Sequence, residues 1–342
     1  MVISEMSDYG HEQVTHVVDE ETGLKSIIAI HDTTLGPSLG GTRLRPYETE
    51  EEALRDVLRL SQAMTYKAAA ADLDLGGGKA VIIADPDDKT PELMRSYGNA
   101  VDWLDGRYIT SVDMNTGVDD MEVIAEATDH VVGREDGLGD PSPVTAEGVF
   151  SGIKACVEYR FGSEDLSDRH VVIQGIGKVG RGLTERLLDA GATVTVSDIN
   201  EEKVERFADE HDLLVVEPDA VYSEPCDVFA PCAIGGVLNA DTVPELACDI
   251  VAGGANNVLE AREHAEELRQ RDILYAPDYV INAGGLITVA TEAAGGTMSD
   301  ALDAANQIGD RLFMMIEKAD AADTTVLEAA ERYAAQRIDA GR

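Results

Sequence analysis

Two lysines, Lys67 and Lys79, stand twelve residues apart, and three consecutive glycines, Gly76, Gly77 and Gly78, precede the second. Glycines carry no side chain, so a ligand or another backbone can approach closely beside Lys79. Two ammonium groups converging on one pocket repel each other, and repulsion together with burial lowers a lysine pKa. A lysine depressed in this way serves as a general base or activates water near neutral pH. The plainer readings are a Lys67 that complements a helix C-terminus and a Lys79 that follows a glycine turn at the surface. Asp113 adds a carboxylate at the end of the strand-like run Arg107–Val112, before the polar turn Met114-Asn115-Thr116-Gly117. It is either a reacting group at a strand end or a turn former.

A second constellation lies downstream. Gly175-Ile-Gly177-Lys178-Val179-Gly180 follows the apolar run Arg169–Gln174 and opens a helical pattern. Asp198 closes the next strand-like run, Ala192–Ser197, 18 residues after the last glycine. That context is the dinucleotide fingerprint. Gly175 makes the tight turn, Gly177 admits a pyrophosphate, and Gly180 lets helix and strand pack. The helix N-terminus supplies amide donors. Asp198 bonds the adenosine ribose hydroxyls and repels a 2′-phosphate, which favours NAD over NADP. The alternative is a doubly wound domain that binds no nucleotide.

These residues need elements to hold them. From Glu50 to Ala70 the apolar residues Ala53, Leu54, Val57, Leu58, Met64 and Ala68 recur at helical spacing, and Thr49 with Glu52 forms a capping box. Lys67 falls at the edge of that apolar face, either snorkelling or aimed into a cleft. Lys79–Ala84 reads as a short buried strand, and residues 1–47 as a strand-rich opening that ends in the loop Leu35–Arg43. Within that loop Gly40 and Gly41 are either a simple turn or part of the lysine pocket. Thr90 and Pro91 start a helix that runs to Asp105. Gly133–Pro143 is the linker candidate, and strands and helices alternate after it. Strands at Cys226–Pro231, Asp249–Ala255 and Asp272–Ala276 end near Ala233, Asn256 and Asn282. The two asparagines are placed to read a cofactor amide or a substrate carboxylate, or simply to form loops. From Ser299 the chain reads as two helices. The expected architecture is α/β in two domains with a cleft between them. Residues 1–135 form an N-terminal substrate and oligomerisation domain, and residues 145–325 a doubly wound Rossmann domain. The last helix, about residues 326–342, is free to return to the first domain.

Composition limits the partners. The 342 residues include 27 basic and 66 acidic side chains, a net charge of −39 spread along the whole chain. This suits a solvated surface in high salt, where self-repulsion is screened; an acidic face for a basic partner is the alternative. Nucleic acid is disfavoured, because phosphate neutralisation needs a basic patch. The N-terminus lacks the pattern of a signal peptide, and no uncharged apolar run approaches the roughly 18 residues that span a bilayer. Four cysteines without CxxC spacing read as small buried hydrophobes in a reducing cytoplasm, with no metal site.

Between about Leu35 and Gly285 the motifs carry a resemblance. They are Gly-Gly-Thr-Arg (40–43), Met-Thr-Tyr-Lys (64–67), Gly-Gly-Gly-Lys (76–79), Arg-Tyr-Ile-Thr (107–110) with Asp113, and Pro-Ser-Pro-Val-Thr-Ala (141–146). Beyond the fingerprint follow Ser-Asp-Ile-Asn (197–200), Phe-Ala-Pro-Cys-Ala (229–233), Ala-Asn-Asn (255–257) and Ala-Pro-Asp-Tyr-Val-Ile-Asn-Ala-Gly-Gly (276–285). The chain resembles the glutamate/leucine/phenylalanine/valine family of amino-acid dehydrogenases, most of all its leucine-acting members. The resemblance implies an NAD-dependent, reversible oxidative deamination of an L-amino acid to a 2-oxo acid and ammonium, by a cytoplasmic homo-oligomer. It implies that Lys67 holds the substrate α-carboxylate, that Lys79 activates water and stabilises the carbinolamine, and that Asp113 exchanges protons with the amino group. Leu39, Gly40, Gly41 and Asn282 fall on the substrate side. Thr145 is placed at the nicotinamide end, and Lys178, Val179, Ala233 and Asn256 elsewhere along the cofactor.

Two departures bear on the substrate. Leucine-type members read Ala-Glu-Asp-Val-Gly-Thr where this chain has Ser111-Val-Asp113-Met-Asn-Thr116, which leans toward the glutamate type. Against that, Leu39 stands where glutamate-acting relatives place a lysine. A carboxylate left unpaired in an apolar wall costs several kcal/mol, so an aliphatic or aromatic side chain is favoured. Glutamate dehydrogenase with the same machinery, and a catalytically silent NAD-binding protein, are the alternatives.

Overall fold

A computed structural model describes residues 2–342. The chain divides into two compact units, residues 1–139 with 288–298 and 334–342, and residues 140–287 with 299–333.

The first unit opens with a helix, α1 (Val2–Tyr9), which the strand-rich reading of residues 1–47 did not contain. Three strands follow, β1 (Gln13–Asp19), β2 (Leu24–Asp32) and β3 (Ser38–Arg45). After them come α2 (Glu50–Ala70), β4 (Gly76–Ile83), α3 (Pro91–Asp102), β5 (Tyr108–Val112) and α4 (Val118–Ala125). The sheet order is β1-β2-β4-β3-β5. β2 runs antiparallel to β1 and β4, whereas β3 runs parallel to both β4 and β5.

Two expectations are corrected here. Residues 38–43 are strand, not loop, and Gly40 and Gly41 lie within it. The strand expected from Lys79 starts three residues earlier, since Gly76, Gly77 and Gly78 open β4, and the plainer reading of a glycine turn falls. Both changes have one cause, close packing. A Cβ on Gly77 would sit 2.1 Å from the Thr65 backbone nitrogen of α2, and one on Gly78 would sit 2.6 Å from the Tyr108 ring. The alternation of a strand then sorts its side chains. Ala80 and Ile82 join Tyr97, Tyr108, Leu44 and Ile28 in one core against α3 and α4. Val81 joins Ala29, Ala53, Val57 and Leu58 in a second core against α2, so Lys79 faces α2 as well.

Helix α2 starts where Thr49 accepts from Glu52 N at 3.1 Å. The reciprocal half of the expected box is displaced by one residue, since Glu52 accepts from Glu48 N at 3.0 Å. Residues 288–298, expected in the Rossmann domain, belong to the first unit. The reason is Glu292, whose two carboxylate oxygens accept from Gly133 N at 2.7 Å and Leu138 N at 3.1 Å.

The second unit begins with α5 (Ser142–Phe161), whose first turn is the Pro-Ser-Pro-Val-Thr motif. It continues through β6 (His170–Gln174), α6 (Lys178–Asp189), β7 (Thr193–Ser197), α7 (Glu201–His211), β8 (Leu214–Val215) and β9 (Cys226–Pro231). Then come β10 (Cys248–Val251), α8 (His264–Gln270), β11 (Leu274–Tyr275), α9 (Asp278–Ile281) and α10 (Gly284–Ala293). Three helices close the chain, α11 (Met298–Asn306), α12 (Ile308–Ala321) and α13 (Val326–Gly341), where two were expected. The sheet, β11-β10-β9-β6-β7-β8, is parallel throughout and doubly wound, with its strand order reversing beside β6. No helix among the described residues is long and apolar enough to cross a membrane.

Candidate active site

Four side chains from four parts of the first unit meet on the sheet face that α2 covers. Lys79 Nζ lies 3.2 Å from Asp113 Oδ1. Arg43 Nε donates to the other carboxylate oxygen, Asp113 Oδ2, at 3.0 Å. Arg43 Nη1 reaches back to Asp56 Oδ2 on α2, also at 3.0 Å. Asp56 is further held by Tyr47 OH at 2.9 Å and by Arg59 Nη2 at 3.0 Å. Asp113 reaches this position because β3 comes unusually close to the end of β5. A Cβ on Gly41 would lie 2.9 Å from Asp113 Cβ and 2.4 Å from Val112 O, so only glycine fits there. The following turn is fixed by Thr116, whose Oγ1 accepts from Asp113 N at 2.9 Å.

The electrostatics follow from burial and this ring of charge. Lys79 is 7 % exposed. Burial lowers its pKa, Asp113 opposes that and Arg43 adds to it, leaving the ammonium below the ordinary lysine value. The expected repelling charge is Lys67; the structure adds Arg43 as a like charge that lowers Lys79. Burial alone raises Asp113, but Lys79 and Arg43 outweigh that and hold its carboxyl below the usual range. The pair is therefore a fixed carboxylate beside an amine that releases its proton more readily than a free lysine.

Lys67 sits in the last turn of α2, half-buried. Asp56, Leu60, Met64 and Lys67 are all half-buried and fall within about 80° of one another around the helix. This edge of α2 is neither core nor open surface. Leu39 is 1 % exposed and pairs in register with Gly77. The departure at Asn115 has a local explanation. Its backbone is left-handed (φ 60°), and its side-chain amide donates to Leu44 O at 2.9 Å. Asparagine there closes a turn.

Arg43, Asp56 and Tyr47 were not among the sequence candidates. Arg43 was visible as the last letter of Gly-Gly-Thr-Arg, and Asp56 as a member of the α2 stripe that ends at Lys67. Their pairing could not be read, because it joins β3 to α2 and to the end of β5.

In the second unit the fingerprint is a strand, a tight turn and a helix N-terminus. Gly175 has φ +97°, and a Cβ on it would lie 2.6 Å from Ala233 Cβ. A Cβ on Gly180 would lie 2.0 Å from Gly175 O. Gly177 is different: it is exposed, and nothing lies within 4 Å of its would-be Cβ. Helix α6 begins at Lys178, inside the motif, so Lys178, Val179 and Gly180 form its first turn. Gly177 caps it without a side chain. Asp198 directly follows β7, with Oδ2 accepting from Ile176 N at 2.9 Å and from Lys203 Nζ at 3.4 Å. Ile199 beside it is 93 % exposed and Ile234 70 %. An open backbone cradle, a carboxylate at the strand end and bare aliphatic side chains nearby fit a dinucleotide.

Thr145 lies in the first turn of α5, its hydroxyl donating to Pro141 O at 3.1 Å, and Gly284 packs directly on its backbone. Asn282 is buried and donates to Ala255 O at 3.1 Å and to Asn256 Oδ1 at 2.9 Å. The two asparagines thus form one arrangement within the second unit.

A family model described as the Glu/Leu/Phe/Val dehydrogenase dimerisation domain matches residues 11–130, and one described as Glutamate/Leucine/Phenylalanine/Valine dehydrogenase matches residues 198–341. The chain belongs to this family. It is an amino-acid dehydrogenase, NAD is the family's cofactor, and the second unit is its Rossmann domain. A TrkA-N domain model also matches residues 171–224, over the fingerprint. The chain is 45% identical over 338 residues to the leucine dehydrogenase of Bacillus subtilis (strain 168), covering 98% of this chain and 93% of that one. It is 48% identical over 339 residues to the phenylalanine dehydrogenase of Bacillus thermotolerans, covering 96% and 89%. The crystal structure of L-tryptophan dehydrogenase from Nostoc punctiforme superposes with a TM-score of 0.92 at 46% identity, covering 100% of this chain and 99% of that one.

Proposed function

We propose that this dehydrogenase catalyses the reversible oxidative deamination of an apolar, leucine-like L-amino acid to its 2-oxo acid and ammonium. The Lys79–Asp113 pair carries the reading: a buried amine of lowered pKa, 3.2 Å from a carboxylate that is charged at rest. Bound NAD supplies the hydride acceptor for Cα. Lys67 holds the substrate carboxylate from its edge of α2. Asp113 takes a proton from the substrate amino group and returns it later. Lys79, as the free base, takes a proton from the water that attacks the iminium carbon, then gives it up as ammonium leaves. The net change consumes the amino acid, water and NAD+, and yields oxo acid, ammonium, NADH and one proton. The second unit's part is binding, through the backbone at Gly177–Gly180, through Asp198, and through Thr145, Ala233 and Asn256. Gly40, Gly41 and Asn282 take the substrate side.

The apolar preference rests on Leu39, which offers a carboxylate side chain no partner. The relatives named above act, by their names, on leucine, phenylalanine and tryptophan, which points the same way. The dimerisation-domain match supports a homo-oligomer, and four unpaired thiols suit the cytoplasm. The test is an assay of leucine, valine, phenylalanine, tryptophan and glutamate with NAD and NADP. Highest kcat/KM for leucine or valine with NAD is expected. Glutamate as best substrate overturns the side-chain assignment, and no NAD reduction by any of them overturns the reaction.

The −39 charge is read as an adaptation to high salt. Activity or assembly should fall on dialysis into dilute buffer, where repulsion is poorly screened. Full activity with an unchanged sedimentation profile would remove this reading.

A further inference from the structure

We infer that Arg43 is a positioning residue for the Lys79–Asp113 couple, and that Asp56, with Tyr47, is the strut that aims Arg43. The inference rests on the reaction proposed above and deepens it. Asp113 has two oxygens and each meets one cation, Lys79 at Oδ1 and Arg43 at Oδ2. With Oδ2 engaged, the carboxylate is turned so that Oδ1 faces the lysine. A guanidinium suits this task, since its rigid fork donates in two directions at once. Arg43 uses Nε toward Asp113 and Nη1 toward Asp56. Tyr47 OH and Arg59 fill the remaining positions on Asp56, which leaves Asp56 little freedom to release Arg43.

The charged and titratable groups facing the couple are few. From β3 there is Arg43, from the end of β5 Asp113, and from α2 Asp56, with Lys67 about three turns further along that helix. From β2 the residue opposite Lys79 is Ala29, and His31, two residues on, hydrogen bonds to Thr65. Within this set Arg43 and Asp56 act on Lys79 with opposite sign. Arg43 favours its neutral form and Asp56 its charged form. Neither needs to touch the substrate.

That opposition gives a test that general damage to the fold does not imitate. Arg43→Gln, Arg43→Lys and Asp56→Asn are made in the full-length enzyme, alongside Lys79→Met. Each is profiled for kcat and kcat/KM against pH, with NAD affinity measured separately. Activity requires the Lys79 free base, so kcat/KM rises with pH through its ionisation. Arg43→Gln removes a like charge from Lys79 and should move that limb to higher pH by about one unit, with kcat down about tenfold or more and KM nearly unchanged. Arg43→Lys should restore the limb more than it restores kcat. Asp56→Asn should move the limb the other way, to lower pH. A limb that stays in place in Arg43→Gln, or that moves in the same direction in both variants, overturns the positioning role. If Arg43→Gln does not fold, the direction of the Asp56→Asn shift decides alone. A Lys79→Met enzyme that still turns over would instead overturn the underlying reaction.

Discussion

Glycine is used twice in this molecule, for opposite ends. In the first unit Gly41, Gly77 and Gly78 are buried in strands, and every Cβ placed on them would strike protein. Their absence of side chain is spent on the protein's own packing, which brings β3, β4, β5 and α2 close enough for Arg43, Lys79, Asp113 and Asp56 to form one ring of charge. In the second unit Gly175 and Gly180 also serve packing, but Gly177 opens onto empty space beside a helix N-terminus. One motif makes a site out of ionisable side chains, the other out of backbone amides. Chemistry in the first should therefore follow pH, whereas binding in the second should follow shape and the charge on Asp198.

The largest expected effect separates the two directly. Lys79→Ala should reduce turnover by about 1,000-fold or more, since in the proposed mechanism Lys79 is the acid–base group. NAD affinity should remain that of the wild type, because the fingerprint lies in the other unit. In the unaltered enzyme the acid limb of kcat/KM should lie below the roughly 10.4 of a free lysine, as burial and Arg43 dictate. A limb at the free-lysine value would break the contrast.

Next come the glycines themselves. Gly77→Ala places a methyl group against the Thr65 backbone and should destabilise the protein by about 1–3 kcal/mol, or prevent folding. Gly177→Ala should leave the urea midpoint unchanged, yet weaken NAD binding by crowding the pyrophosphate. Equal loss of stability in both would mean that the second motif is built for packing too.

A smaller effect is expected at Asp198. In the proposed reading Asp198→Ala removes a ribose acceptor and a charge that repels a 2′-phosphate, and it leaves Lys203 without that carboxylate. NAD binding should weaken by about tenfold, and the gap to NADP should narrow further than the lost acceptor alone predicts. Unchanged NAD affinity would sink the assignment of the fingerprint.

The same contrast explains what the sequence could disclose. The fingerprint is local: strand, turn, helix and acid follow one another within 30 residues, so Gly175 to Asp198 could be read in order. The family resemblance likewise picks out Lys79 and Asp113, which the fold brings within 3.2 Å. What stayed hidden was non-local. Residues 38–43 look like a loop because Pro37 and two glycines punctuate them, and only Tyr108, Gly78 and Asp113 closing around them reveal a strand. Sequence proximity points to Lys67 as the like charge beside Lys79, whereas the fold also delivers Arg43, from 36 positions upstream. Helix α5 is hard to read because its buried residues, Val144, Val149, Ile153 and Cys156 among small ones, spread around the helix and leave only a narrow polar stripe to mark the period.

The smallest effect concerns a pair of histidines on which the first unit's pH response also depends. His11 and His31 stack edge to face with ring centroids 4.8 Å apart, behind α2. Ser61 spends its hydroxyl proton on Val57 O at 2.7 Å, so it accepts from His11 Nε2, leaving His11 Nδ1 buried with no partner. A proton on that nitrogen would find no acceptor. Burial first, then the charge of His31, lowers the His11 pKa from 6.5 to about 4, with only the Leu58 backbone opposing. Burial likewise lowers His31, against the pull of Asp32. The unfolded chain therefore binds more protons than the native one below pH 6.5. Stability is fully present above that value and is lost as pH falls toward about 4, where the slope ends. Because His11 is only half-buried, water screens part of the effect, and the loss should be about 1 kcal/mol. Urea midpoints at pH 7 and pH 5 measure it, and His11→Gln should flatten the difference. If the variant keeps the wild-type pH dependence, the histidines are bystanders and the first unit's acid response comes from its carboxylates of lowered pKa, Asp32, Asp56 and Asp113 among them.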